Sequence, residues 1–200
     1  MTERPIIFNS EMVRAVMEGR KVQTRRIMKV QPHAGVRSSV FVKSGIEDGH
    51  GKELVCPFGA VGDRLWVRET FSIVPRTAYA ASEGVQQVIR PDDNHDAAIF
   101  RSGWEHSSGG IRWRPSIHMP RWASRITLEI TGVRVERLTT LSDDDARNEG
   151  CPAQLPHNPE DEHQARTWFR GLWSEIYGEE SWQANPWVWV IEFKRVEGEA

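Results

Sequence analysis

The stretch GRKVQTRR, residues 19–26, sets four cations (Arg20, Lys21, Arg25 and Arg26) around one hydroxyl, Thr24. Such a cluster can grip phosphate. It can also hold one lysine partly neutral, because neighbouring positive charges disfavour another. A neutral lysine can take a proton from a hydroxyl. The residues upstream say where the cluster sits. Ile6–Phe8 is a short strand-like run, and Asn9 or Ser10 can cap a helix. Met12, Val13, Val16 and Met17 then recur at i, i+1, i+4 and i+5, the apolar face of a helix of about two turns. Gly19 suits the position just past a helix end, so the cluster emerges from a helix C-terminus. Lys21 and Thr24 share a face on a helix and point opposite ways on a regular strand. A joint role for them requires residues 20–24 to be a turn or an irregular segment.

Downstream, GDRLWVRETF (62–71) is a Gly-Asp turn into a strand, with Leu65 and Val67 alternating with Trp66 and Arg68. SRITLEITGVRVERLTTL (124–141) alternates as a long strand, bulged at Gly132. SDDDARNEG (142–150) begins with a serine cap and acids at a helix N-terminus, where the dipole favours them, and ends at Gly150. PEDEHQARTWFRGLWSEIYG (159–178) is an amphipathic helix, with Ala165, Trp168, Phe169, Leu172, Trp173 and Ile176 on its apolar face. PWVWVIEFKRV (186–196) is a closing strand with the aromatic and branched residues of a buried sheet position. Residues 31–60 read as loop with a weak strand at SSVFVKS, and 72–118 as an irregular excursion. Strands interrupted by short helices imply an α+β fold, a small, partly open β-barrel with helices over its ends.

Composition narrows the function. Residues 1–30 carry seven Lys/Arg against three Glu, residues 101–137 again seven against three, and residues 143–200 five against thirteen acids. Two basic patches fit an anionic ligand or nucleic acid. A net charge of −2 argues against broad non-specific binding to duplex. Nine tryptophans supply flat apolar faces, most of them for the core and one or two as a stacking wall for a planar ligand. Two cysteines make no disulfide framework, and no long apolar run or secretory segment is visible. A soluble protein of a reducing, cytoplasmic setting is expected, with no membrane partner. Cys151, His157 and His163 match no zinc spacing, and no Gly-rich phosphate loop is present.

The spacing G-x-K-x-x-x-x-R at Gly19, Lys21 and Arg26 resembles the signature of the ASCH domain family, whose members share a PUA-like β-barrel and are linked to RNA. The order of the later segments strengthens the likeness: GDRLWV, then the long strand, the acidic helix, WFRGLWSEIYG, and WVWVIEFK. It resembles the small ASCH enzymes that hydrolyse N4-acetylcytidine, over roughly 1–30, 60–72 and 122–196. The segment PSIHMPRWASRI (115–126) is similar to one in a phage-encoded ASCH group, so a bacterial host cytoplasm is implied. The resemblance implies one domain over residues 1–200, a PUA-like mixed barrel with flanking short helices and inserted loops at about 31–58 and 73–121.

The resemblance also implies a metal-free amidohydrolase without organic cofactor. Its catalytic lysine falls on Lys21, its threonine on Thr24 and its glutamate on Glu149. Thr24 would be the nucleophile and Lys21 its base, made neutral by Arg20, Arg25, Arg26 and desolvation. Glu149 would orient Lys21 or relay a proton to the leaving amine. Glu69 is the rival carboxylate. Substrate contacts are expected from Arg26, Trp66, Arg68, Glu69, His118, Arg121, Trp122, Ser124 and Arg125. His118 can be an acid/base, a ligand contact or structural. Trp122 can stack on a base or pack in the core, with Arg121 or Arg125 on phosphate or ribose. The partner would be a modified nucleoside or an RNA base. A non-catalytic module that holds a modified base, and an RNA-cleaving protein whose cations stabilise a phosphorane, are the alternatives.

Overall fold

The computed structural model describes residues 1–93, 95–105, 109–155 and 162–196. In chain order the first elements are β1 (Glu3–Ile7), α1 (Ser10–Met17), β2 (Gln23–Ile27), β3 (Val36–Ser38), β4 (Ile46–Asp48) and β5 (Arg64–Arg68). Next come β6 (Phe71–Pro75), β7 (Val88–Ile89), β8 (Asp96–Phe100) and β9 (Thr127–Arg137). The chain continues with α2 (Asp143–Asn148), α3 (Gln164–Tyr177), α4 (Glu179–Gln183) and β10 (Trp187–Arg195). The fold is α+β, as the mixture of periods implies. One five-stranded sheet runs in the order β1-β5-β9-β10-β2, beside a β3-β4 hairpin and a small β6-β8-β7 sheet.

β1 and β2 are the edges of the main sheet, and α1 joins them. Arg26 of β2 donates from Nη2 to the Ile7 carbonyl of β1 at 2.7 Å. Phe8, just past β1, lies against Phe193 of β10 with ring centroids 6.1 Å apart. The sheet thus curls until its edges approach, a partly open barrel with Arg26 across the seam. Ile6, Phe8, Val13, Val16, Leu65, Val67, Leu128, Ile130, Ile191 and Phe193 fill its interior. A second core lies under the helices, where Leu138, Ala146, Phe169 and Trp173 meet Val188 and Val190. β10 therefore buries both faces, which is why WVWVIEF reads as a continuous apolar run. Burying each such side chain is worth about 1.5–3 kcal/mol.

Local chemistry sets the boundaries. Asn9 caps α1 by accepting from Met12 N at 2.8 Å. Ser142 and Asp145 form a reciprocal capping box at α2. The β9 bulge falls where expected, at the register shift opposite Glu192 and Phe193, beside Gly132.

Four expectations are corrected. The strand expected at SSVFVKS sits earlier, at β3. Residues 39–45 form the hairpin connection, closed by Ser39 N donating to Gly45 O at 2.9 Å, and leave Val40 92% and Phe41 93% exposed. Strand propensity there finds no surface to pack on. The excursion read as irregular over 72–118 contains β6, β7 and β8; the alanines of DAAIF hide its strand character, although Ala97, Ala98 and Ile99 are fully buried. Residues 23–27, read as part of a charge cluster, are a strand. The helix expected from 159 is observed from Gln164, with 159–161 outside the described residues, and after Gly178 the short α4 was not anticipated.

Of the nine tryptophans, Trp173, Trp182 and Trp189 are buried and the other six half-buried. Cys56 and Cys151 are buried free thiols. Among the described residues, no helix is long and apolar enough to cross a membrane.

Candidate active site

Two helix ends meet to build the site. After α1 the chain turns at Gly19 (φ +73°), and the Arg20 and Lys21 amides both donate to Ala15 O, at 2.9 and 3.0 Å. Val22 N donates to Asn148 O at 2.9 Å, and Lys21 forms an isolated bridge with Glu149, the C-cap of α2. Gly150 follows with φ +101°, where a Cβ would lie 2.9 Å from Ala15 Cβ and 3.2 Å from Lys21 Cβ. Glycine is required there by both backbone conformation and space. Residues 20–22 are thus irregular, but Gln23 and Thr24 already stand on β2, so the irregular segment that a joint role of Lys21 and Thr24 requires over 20–24 is only partly present.

Lys21 and Glu149 are 2% and 4% exposed. Lys21 Nζ donates to Glu149 Oε2 and to the Glu149 carbonyl, each at 2.9 Å, and lies 5.6 Å from the Phe8 ring centre. Burial pushes the Lys21 amine below its ordinary range; the Glu149 charge and hydrogen bond oppose this, while Arg26 and Arg25 add to it. The expected direction is therefore present, with desolvation its main cause.

Arg25 has no exposed side-chain surface. It pairs with Glu149 Oε1 at 3.1 Å, Glu136 Oε2 at 3.2 Å and Asp145 Oδ1 at 3.3 Å. Arg134 bonds Asp145 Oδ1 at 2.9 Å and also pairs with Glu136 and Glu192. The Asp145 carboxyl falls to about 2: burial pulls the other way and is outweighed by the Ser142 amide, the Gln23 side chain and Arg25.

A narrow slit of about 20 Å³ lies at the free edge of β2. Thr24, Arg25, Arg26 and Glu149 line one side, Met12 one end, and Phe169, Leu172, Trp173, Ile176 and Tyr177 of α3 the other side. The Trp173 and Tyr177 rings lie 4.5 Å apart, centre to centre. Ile176 is 44% exposed at the mouth. Thr24 is 2% exposed. The hydrogen bonds of Lys21 Nζ among the described residues go to Glu149, not to the Thr24 hydroxyl.

The other sequence candidates gather elsewhere. Glu69 is 1% exposed and takes a forked pair from Arg125, at 2.9 Å to Oε1 and 3.0 Å to Oε2. Burial raises the Glu69 carboxyl above its usual range against the pull of Arg125. Arg125 also stacks over Phe100 at 4.1 Å. Arg68 and Arg121 lie 5.4 and 5.9 Å from the centre of the Trp66 ring. Arg121 in turn forks onto Glu3 at 2.7 and 2.8 Å, and Arg68 donates to the Ile117 carbonyl. His118 is exposed in a 3-10 turn. Trp122 packs beside the buried cluster of Phe71, Ala98 and Met119 with Arg90 5.9 Å from its ring, and Ser124 Oγ donates to the Val67 carbonyl at 2.9 Å. Of the candidates, Thr24, Arg26 and Glu149 line one cleft, whereas Lys21 does not line it and is tied to it through Glu149. Glu69 and the residues of 66–68 and 118–125 do not line it.

Sequence reasoning missed the cleft wall as a wall. Met12 and the α3 residues carry no charge or motif. Their signal is the breadth of the α3 apolar stripe, which reaches from Trp168 to Tyr177 around about half the helix, more than a single core contact needs. Of the weak metal set, His163 Nδ1 bonds Asp143 Oδ2 at 2.7 Å, and His157 lies outside the described residues. Among the described residues, no group of three or more His, Cys, Asp and Glu side chains is placed to hold a metal ion.

No protein-family model and no curated protein matches the chain. Among solved structures, an ASCH domain from Lactobacillus crispatus JV V101, determined as a high-resolution crystal structure, is similar with a TM-score of 0.41 and 12% sequence identity, over 97% of this chain and 79% of that one.

Proposed function

We propose that the chain is an ASCH-type amidohydrolase that removes an acyl group, acetyl in the first instance, from the exocyclic nitrogen of a modified cytidine. The observation that carries this reading is that Glu149, paired with the buried Lys21, lines one cleft together with Thr24 and an aromatic wall. The wall of Phe169, Trp173 and Tyr177 offers flat faces to a ring, which enters as α3 draws back from β2, since the slit itself holds about 20 Å³. Arg26 at the cleft suits a polar or anionic substituent such as a ribose or phosphate. The G-x-K-x-x-x-x-R spacing resembles the family in which Lys, Thr and Glu do this chemistry.

In this reading, Lys21 releases Glu149 as substrate enters, and its neutral amine takes the Thr24 hydroxyl proton. Thr24 Oγ1 attacks the acyl carbon, and the carbonyl electron pair moves onto oxygen. When that pair returns, the C–N bond breaks and the leaving nitrogen takes the proton from Lys21, directly or through Glu149. Water then attacks the acyl-threonine ester and gives a proton to Lys21; as the tetrahedral adduct collapses, the bond from the acyl carbon to Thr24 Oγ1 breaks, that oxygen takes the proton back from Lys21, and the carboxylic acid departs. The net change is amide plus water to amine plus carboxylic acid. The depressed lysine supports the base role, since a base must be deprotonated to act.

A second reading is a module that holds a modified base, free or within RNA, without turnover. It is favoured by one contact: Lys21 is engaged by Glu149 rather than by Thr24. Incubating N4-acetylcytidine with the wild type and with Lys21→Ala, followed by chromatography of the nucleosides, separates the two. Deacetylation by the wild type alone supports the enzyme. Binding without product, unchanged by Thr24→Ala, overturns it in favour of the module.

A further inference from the structure

We propose that Arg25 is a positioning residue that divides the Glu149 carboxylate between two cations, leaving a single oxygen on Lys21, and so tunes how firmly the lysine holds its proton. The inference deepens the proposed function but stands on geometry of its own. The two carboxylate oxygens of Glu149 have separate partners: Oε2 accepts from Lys21 at 2.9 Å and Oε1 from Arg25 Nη1 at 3.1 Å. A carboxylate held on one oxygen by a permanent cation is a weaker partner for a second. Arginine suits this post because it keeps its charge at any working pH and presents a planar fork.

The fork is fixed from three directions. Gln23, Arg25 and Ile27 alternate onto one face of β2, under α2 and α3. There the guanidinium lies 6.0 Å from the Phe169 ring centre. Its Nη2 is held by Glu136 of β9 at 3.2 Å and Asp145 of α2 at 3.3 Å. Arg134 shares both carboxylates and also pairs with Glu192 of β10. Arg25 is thus anchored on Nη2 and offers Nη1 to Glu149. Its Nε is buried and makes no hydrogen bond among the described residues.

The charged groups facing Lys21 are Glu149 from the end of α2 and Arg25 and Arg26 from β2. The end of α1 presents the Ala15 carbonyl to its amide, and Phe8 presents its ring. Adjacent Arg20 turns away, to Glu18 and the Gly150 carbonyl. Removing Arg25 subtracts a repelling charge from Lys21 and returns Glu149 wholly to it. Both changes strengthen the lysine's hold on its proton.

The test is direct titration. The chain has five lysines, so Lys21 can be followed by NMR of lysine labelled at Cε with 13C, assigned with Lys21→Arg. Arg25→Gln should move the Lys21 midpoint to higher pH by about one unit. Glu136→Gln, which removes one of the two carboxylates on Nη2 and leaves Arg25 freer to favour Glu149, should move it to lower pH. Arg25→Lys should restore most of the wild-type midpoint. An unchanged or lowered midpoint in folded Arg25→Gln overturns the proposal. If Arg25→Gln does not fold, an unchanged or raised midpoint in Glu136→Gln does so. The readout needs no turnover. A missing deacetylase activity with the midpoints moving as stated would sink the enzyme reading and leave the role of Arg25 standing. Activity with unmoved midpoints would do the reverse.

Discussion

Lys21 and Glu149, 128 residues apart in sequence, are joined twice through Nζ at 2.9 Å and once more as a backbone bridge. The contact welds the exit of α1 to the exit of α2. Because it is buried, its members cannot be removed with equal effect. Without Glu149, two buried cations lose a partner. Without Lys21, the carboxylate still has Arg25. Glu149→Ala is therefore expected to cost about 3–5 kcal/mol and Lys21→Met clearly less, as read from urea midpoints. Equal losses would mean that Arg25 contributes nothing to holding Glu149.

The lowered lysine carries a stability signature with a defined sign. Its folded value lies below the unfolded value of 10.5, so between the two the unfolded chain binds more protons. Stability from this group therefore rises with pH through that window. The difference in unfolding free energy between wild type and Lys21→Met should shift in favour of wild type as pH climbs toward 10. A difference independent of pH would contradict the depressed amine.

Thr24 offers a sharper test of chemistry. Thr24→Ala should lower deacylation by about 10³-fold or more, while Thr24→Ser, which restores a hydroxyl, should keep much of it. Comparable loss in both would argue that Thr24 shapes the cleft rather than attacks.

Gly150→Ala asks for a left-handed backbone and places a methyl 2.9 Å from Ala15 Cβ and 3.2 Å from Lys21 Cβ. A destabilisation of about 1–3 kcal/mol is expected, with weakened activity because Lys21 is the side chain displaced. Full activity at wild-type stability would show that the two helix exits can separate freely.

Ile176 is exposed at the cleft mouth and supports no core. Ile176→Glu should change stability by no more than about 0.5 kcal/mol yet weaken binding of a flat, apolar-faced ligand, measured by calorimetry with N4-acetylcytidine. Unaltered affinity would move the ligand away from α3.

Much of this was legible before any coordinates. The strands at 64–68, 127–137 and 187–195 announce themselves by alternation or by a continuous apolar run. The caps at Asn9 and Ser142 follow from side chains that can reach their own backbone. Lys21, Thr24 and Glu149 could be named because a spacing and a family resemblance pointed to them. β2 escaped because four of its five residues are polar or charged. Gln23, Thr24 and Arg25 are each 2–3% exposed, and burial of an arginine is intelligible only once Glu136, Asp145 and Glu149 are seen around it. β8 escaped because alanine has little strand preference. The separation of Glu69 from Glu149 could not be read from sequence, since each lies in a motif that pairs it with an arginine. The fold decides which arginine is near.

The two excursions remain. Neither the β3-β4 hairpin nor the β6-β8-β7 sheet contributes a residue to the cleft beside Thr24. They brace the barrel instead: Ile46 of β4 packs against the main core, and Ser102, just past β8, donates to the Ser10 carbonyl of α1. The Val40–Phe41 tip alone stands clear of both, so a reporter, an affinity handle or a targeting module grafted at residues 39–45 is expected to leave the cleft as it is.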